Sequence, residues 1–241
     1  MRLIVIASGS SANAAVVENN GAAVLVDCGV TLRTLKCGLA NAGLSLSDLR
    51  AVFITHRHSD HIKGLPVLAR AADIPIYSAV DIGLCTHFED RMTQGGFEVQ
   101  AFECSHDVPC VGYKISCGEK SVCIATDSGT VTQSMLQALY GCETVMIESN
   151  HDIEMLKNGF YPARLKARIM SSRGHLSNSD CAKLVSYLAG GGLRNAVLAH
   201  LSENNNTPLL ARAETQGALS RLAPDSGVNV RHADAGLIIE F

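Results

Sequence analysis

The segment Thr55-His56-Arg57-His58-Ser59-Asp60-His61 places three imidazoles and a carboxylate within six positions. Imidazole nitrogen and carboxylate oxygen are the ligands that divalent transition metals take from proteins. On an extended backbone, alternate positions such as 56 and 58 face the same way, while 60 and 61 swing round as a helix begins. One turn of chain can then feed two metal ions about 3.5–4 Å apart. A satisfied core histidine accounts for one imidazole, but three together point to metal.

Such a turn needs a rigid element on either side. Residues 51–54, directly before it, read as a short buried strand, and 62–72 as a helix stopped before Pro75. The same alternation runs through the chain. Residues 3–7, 14–18 and 22–27 read as strands, the last two joined at Asn19-Asn20-Gly21, and 31–42 as a helix closed by Gly43. Further strands are expected at 74–78, 97–103, 111–116, 121–126, 144–148, 196–199, 228–232 and 237–241. Helical stretches are expected at about 80–92, 130–140, 152–171 (as a pair), 177–188 and 208–222. Strand pairs followed by helices in both halves imply an α/β chain with two mixed sheets packed face to face and helices outside. No Pro- or Ser-rich linker divides it, so residues 1–241 read as one domain.

Composition narrows the function classes. The 241 residues are 47% apolar and 18% charged, the second figure below the roughly 25% usual in soluble proteins. Apolar runs at 3–7 and 22–26 reach only five residues, so no segment reads as spanning a membrane. The apolar start is too short for a signal peptide and reads as a first strand. Nine cysteines, an odd number without a CxxC pair, fit free thiols in a reducing cytoplasm. Cys104, beside a histidine, reads as a core thiol. Net charge is −3, Trp is absent and aromatics make up 5%, which disfavours a platform for stacking single strands. Any grip on nucleic acid must be local. Lys157, Arg164, Lys166, Arg168 and Arg173 supply such a stretch, with Glu154 the acid close by; a solvated helix face is the plain alternative.

The motif HxHxDH after a buried strand resembles that of the metallo-β-lactamase fold, an αββα four-layer sandwich with metals at its strand ends. The resemblance implies further ligands at later strand ends, and Ser105-His106-Asp107, Thr126-Asp127-Ser128-Gly129 and Ala199-His200-Leu201-Ser202 fill those places in order. Carried over residue by residue, it assigns His56, His58 and His106 to one metal and Asp60, His61 and His200 to the other, with Asp127 bridging. Two divalent ions are implied. Zn²⁺ suits the set best, and a mixed nitrogen and oxygen set also accepts Mn²⁺ or Fe²⁺. Aspartate at the bridging place points away from the lactamase branch, which has cysteine there, and toward phosphodiesterases, nucleases and thioesterases. His58 points away from the oxygen-reducing di-iron branch.

Finer stretches resemble the YycJ/WalJ family: Ser8-Gly9-Ser10-Ser11, Glu148-Ser149-Asn150-His151-Asp152, Met155-Leu156-Lys157-Asn158-Gly159, Gly174-His175-Leu176-Ser177-Asn178, and His200 through Pro208. Residues 10–15 read SSANAA, where that family more often has Gly followed by Asn-Cys or Asn-Ser. The family is associated with exonuclease activity on double-stranded DNA from 5′ ends. The implied activity is phosphodiester cleavage by a metal-bridging hydroxide, with Asp60 and His175 as catalytic candidates. His175, before the helix at 177–188, could hold the scissile phosphate, protonate the leaving oxygen or cap the helix. Ser8, Ser10, His151, Arg164, Lys166, Arg168 and Arg173 are candidate substrate contacts, whereas His87 and His232 read as structural. The expected partner is double-stranded DNA or another phosphodiester. The rivals are a hydrolase of small cyclic phosphodiesters or thioesters, and a metal-stabilised interaction protein without turnover.

Overall fold

The computed structural model describes residues 1–241. The chain clusters into two compact units: Met1–Ala101 with Ile115–Lys120 and Ala233–Phe241, and Phe102–Lys114 with Ser121–His232. In chain order the elements are β1 (Arg2–Ala7), β2 (Ala14–Asn19), β3 (Ala22–Val26), α1 (Leu32–Asn41), β4 (Leu49–Phe53), α2 (Ser59–Ile62), α3 (Leu65–Ala71), β5 (Ile76–Ser78), β6 (Thr86–His87), β7 (Arg91–Gln94) and β8 (Phe97–Cys104). They continue with β9 (Cys110–Cys117), β10 (Lys120–Ala125), α4 (Gln133–Leu139), β11 (Thr144–Glu148), α5 (Ile153–Asn158), α6 (Ala163–Ile169), α7 (Asn178–Ala189), β12 (Asn195–Ala199), α8 (Pro208–Leu222), β13 (Asn229–His232) and β14 (Ile238–Glu240). No helix is long and apolar enough to cross a membrane.

The strands form two mixed seven-stranded sheets, ordered β14-β1-β2-β3-β4-β5-β6 and β13-β12-β11-β10-β9-β8-β7. β3, β4 and β5 run parallel, as do β10 through β13. Parallel strands are buried on both faces, so their sequences are almost wholly apolar; every residue of β11 is buried. In the first unit Ile4, Val16, Leu25 and Val52 pack with Leu35, Leu39, Leu65 and Leu68 from the helices. In the second, Val145, Ile147 and Leu198 pack with Leu184, Val185 and Leu188 of α7, and Cys104 lies in this core as a small hydrophobe. Helix starts follow the chain chemistry. The side chains of Thr31, Thr132, Asp152, Ser177 and Thr207 each accept a first-turn N–H of their helix.

Parallel registers decide where the chemistry emerges. Val26 pairs with Phe53, so Asp27 and Thr55-His56 leave the same end of the first sheet. Ala125 pairs with Ile147, and Glu148 with Ala199, so Asp127, Glu148 and His200 leave neighbouring strands together. Carboxyl ends of parallel strands are the customary ligand edge of α/β sheets.

Two expectations need correction. The stretch 80–92 is not helical: it carries β6 and the start of β7. Gly83 disfavours a helix there, and Gly95-Gly96, both at positive φ (+60° and +89°), close a two-residue hairpin that pairs Gln94 with Phe97. The helix expected over 62–72 is split, because the Gly64 N–H donates to the Cys28 carbonyl at 2.9 Å and the Asp60 carbonyl accepts from the Asn13 N–H at 2.8 Å, and only glycine fits so close to the carbonyls of Val30 and Cys28. α2 starts earlier, with His58 at its N-cap, and α3 restarts after Gly64 with Pro66 in its first turn. Gly95 combines positive φ with a Cβ position against the side chain of Arg50. Gly95→Ala is expected to cost about 1–2 kcal/mol, lowering the thermal midpoint by about 2–4 °C per kcal/mol in a calorimetric scan.

Candidate metal centre

In the first unit, Asp27 follows β3 with φ +61°, a left-handed turn rare for residues other than glycine. The turn buries its carboxylate (3% exposed). There it accepts the Thr55 N–H at 2.9 Å, the Thr55 hydroxyl at 2.9 Å and His61 Nδ1 at 2.7 Å. With its proton given to Asp27, Thr55 Oγ1 accepts from His56 Nδ1 at 3.0 Å. Both buried imidazoles are thus held by Nδ1, which makes Nε2 the ligating atom of each. The rings of His56 and His58 lie 4.7 Å apart, and those of His56 and His61 4.1 Å apart. Asp60 Oδ2 sits 3.3 Å from His61 Nε2. Asn13 Nδ2 reaches both, at 3.1 and 3.0 Å, while its amide exchanges two hydrogen bonds with Gly9. The four clustered residues of the sequence motif do converge here.

The second unit repeats the device. Glu148, at the end of β11 and 2% exposed, accepts His200 Nδ1 at 2.7 Å and His175 Nδ1 at 2.8 Å on one oxygen. Its other oxygen takes the N–H groups of Ser128 at 2.9 Å and Leu176 at 3.2 Å. Asp127 and His200 both turn left-handed, at φ +59° and +54°. Asp127 Oδ1 comes to 3.6 Å from His175 Nδ1 and His200 Nδ1, and 3.9 Å from His106 Nε2. His106 is held through Nδ1 by the carbonyl of Gly174 at 3.1 Å. The His175 ring lies 5.2 Å from His106 and 5.3 Å from His200. Asp127, Glu148, His175 and His200 bring their donor atoms within 4.8 Å of one another.

Burial opposes charge at Glu148, yet the imidazoles of His175 and His200 outweigh it and hold the carboxyl well below the usual carboxylate range. At His175 burial pulls the pKa down, and Glu148 overcomes it, leaving a net rise. Burial dominates at His106 and at His151, and lowers both. The donor chemistry fits divalent metals. A ligating imidazole nearly always donates its second nitrogen to a carboxylate or carbonyl, which sets its tautomer and direction. Asp27–His61, Glu148–His200 and Gly174–His106 are three such pairs.

Residues 7–100 match the metallo-beta-lactamase superfamily. Over 245 residues the chain is 34% identical to the exodeoxyribonuclease YycJ of Bacillus anthracis, covering 95% of this chain and 91% of that protein. Over 244 residues it is 35% identical to the exodeoxyribonuclease WalJ of Streptococcus pneumoniae, covering 94% and 90%. The chain belongs to the YycJ/WalJ family. The metallo-β-lactamase fold of this YycJ/WalJ chain also matches that of the YhfI protein of Bacillus subtilis. There the TM-score is 0.78 at 21% identity, over 100% of this chain and 99% of that one. The short form of human tRNase Z matches with a TM-score of 0.68 at 19% identity, over 100% and 99%. The YycJ/WalJ chain is a metal-dependent hydrolase.

The other sequence candidates are placed as follows. Ser8 is half-buried and Ser10 exposed, in a loop whose Gly9 N–H is already donated to Asn13. His151 is buried, and its main chain pairs with Ser177 and Asn178. Arg173 donates to the carbonyls of His106 and Asp107 at 2.9 and 3.1 Å, and Arg168 lies 3.9 Å from the Asp107 carboxylate. Lys166 donates to the carbonyl of Lys157 at 2.7 Å, and Arg164 is exposed on α6. Sequence reading did not single out Asp27, Asn13 or Glu148 for a role. Asp27 and Glu148 each stand directly at the end of an apolar strand, but as single acids outside the histidine cluster that marked the ligands; Asn13 carries no signal. Outer partners of this kind govern affinity. Asp27→Asn and Glu148→Gln are each expected to weaken metal binding about 10- to 100-fold in competition with a chromophoric chelator. Equal affinity in all three proteins would refute the role.

Proposed function

We propose that this hydrolase is a dinuclear phosphodiesterase, and specifically an exonuclease that degrades double-stranded DNA from 5′ ends. The carrying observation is the Glu148 carboxylate, which gathers His200 and His175 while Asp127 stands beside them. It is supported by near full-length identity to two relatives named exodeoxyribonucleases. Following the family pattern, His56, His58 and His106 would hold one ion, Asp60, His61 and His200 the other, and Asp127 would bridge them. Zn²⁺ is the ion we favour for this nitrogen-rich set, with Mn²⁺ or Fe²⁺ the alternatives. When bound, two such ions lower the pKa of a coordinated water and offset negative charge growing on phosphorus.

The chain's own residues supply the rest. Asp27 and Glu148 hold the imidazoles rigid, so no reorganisation is needed as charge develops. His175, anchored by Nδ1 on Glu148, would hold the scissile phosphate or protonate the leaving oxygen at Nε2. The basic segment 157–173 would bind phosphates along the duplex. Buried thiols at 28, 104, 110, 123, 142 and 181 suit a reducing cytoplasm, where we place the protein. The net charge of −3 favours a second reading, a small cyclic phosphodiester or thioester as substrate.

Two measurements separate these readings. Protein loaded with Zn²⁺ or Mn²⁺ is expected to release mononucleotides from 5′-labelled duplex. That rate should fall at least about tenfold between low and physiological salt, because several phosphate contacts are lost. Hydrolysis of a bis-aryl phosphodiester with no loss on duplex would favour the small substrate instead. His175→Ala is expected to lower kcat by about 10²–10⁴ while elemental analysis still finds the wild-type metal content. A parallel loss of metal would make His175 a ligand rather than a proton carrier.

A further inference from the structure

Phe160 is the most exposed large apolar side chain of the protein, at 80%. It lies in the turn between α5 and α6, and the turn is braced. The Phe160 ring meets that of Tyr161 edge-on, with centroids 5.2 Å apart and planes at 86°. The Tyr161 hydroxyl accepts from Asn204 Nδ2 at 2.9 Å. Asn205, next in the loop that follows His200, takes the Asp152 N–H on its carbonyl at 2.9 Å. Its side chain also crowds Gly159, where a Cβ would lie 2.8 Å from Asn205 Oδ1. Beyond the other end of α6, Arg168 and Arg173 engage Asp107 and the carbonyl of His106. The segment 152–173 is therefore fastened to the loop after His200 at one side and to the loop after His106 at the other. It also carries Lys157, Arg164, Lys166, Arg168 and Arg173 against Asp152 and Glu154.

An aromatic ring held out in water on a segment with five basic residues against two acidic ones suits one kind of occupant. A protein partner would cover the ring but would have to supply an acidic frame around it. The end of a nucleic acid brings both halves, phosphates for the cations and an open base face for the ring. Stacking one base on an aromatic side chain is sequence-tolerant and contributes about 1–3 kcal/mol. The low aromatic content of the chain is no obstacle, since a terminal base needs one ring rather than a platform.

We propose that Phe160 stacks on the terminal base of the DNA end whose backbone the segment 157–173 holds, and so determines which ends are accepted. This rests on the exonuclease reading above and adds a specificity-determining residue to it. The test compares metal-loaded wild type, Phe160→Ala and Phe160→Trp on a blunt duplex, a dye phosphodiester and a phosphorothioate-protected duplex with 2-aminopurine at its terminus. For Phe160→Ala the ratio of duplex digestion to dye hydrolysis should fall about tenfold, within the range of one lost stack. Quenching of the terminal 2-aminopurine should fall with it, and Phe160→Trp should restore both. Equal ratios and equal quenching in wild type and Phe160→Ala, with wild type active on duplex, would overturn the stacking role alone. Wild type that cleaves the dye ester but neither binds nor digests DNA would overturn the exonuclease reading, and this inference with it. A change in sedimentation of Phe160→Ala at an unchanged duplex-to-dye ratio would assign the ring to a protein contact and overturn the proposal.

Discussion

A buried carboxylate that grips an imidazole through Nδ1 is the constraint on which the donor geometry rests, and each unit has one. Asp27 grips His61, and Glu148 grips His200 and His175. Burying a lone carboxylate costs several kcal/mol, so each is offset by donors that converge on it. Thr55 gives Asp27 both its N–H and its hydroxyl; Ser128 and Leu176 give Glu148 two main-chain N–H groups. Because three of these four donors are backbone N–H groups, the carboxylates cannot move without disturbing the main chain around them. The imidazoles inherit that rigidity.

The strand ends carry a second signature of the same demand. Four non-glycine residues have positive φ, and Asp27, Asp127 and His200 are three of them. Each stands just beyond a parallel strand, where a left-handed residue turns the chain sharply and keeps its side chain at the sheet edge. Such backbone costs of order 1 kcal/mol or more and survives where the surroundings impose it. Here the surroundings are the neighbouring strands and the hydrogen bonds of the carboxylates. Close backbone approaches serve the same end. At Gly129, a Cβ would collide with the main chain of residues 171–174, so only glycine lets the segment before His175 come up beside Asp127.

Much of this was legible in the chain. Strand and helix positions follow from apolar runs, caps and turn residues, and β11 and α8 fall where the pattern puts them. The histidine motif is legible because a cluster of imidazoles has no other common explanation. Other features were not. The Gly95-Gly96 hairpin competes with a weak helical pattern over 80–92, and two glycines at positive φ decide it. Glu148 and Asp27 are single acids with ordinary neighbours in sequence. Their roles appear only when strands distant in the chain pair in register.

Residue types and spacing alone therefore located the histidine cluster and most strands and helices, 80–92 excepted, and the quoted motifs carried the resemblance to the family. Those properties follow from local periodicity and from the donor atoms that side chains carry. Only the tertiary structure decided which nitrogen of each imidazole is committed, which carboxylates are outer partners and which cations are already tied to loop carbonyls. Those are matters of distance between residues 20 to 70 positions apart, such as Asp27 and His61, Glu148 and His200, or His106 and Arg173. A hydrogen bond depends on separation in space, to within a few tenths of an ångström, and a linear sequence does not specify it.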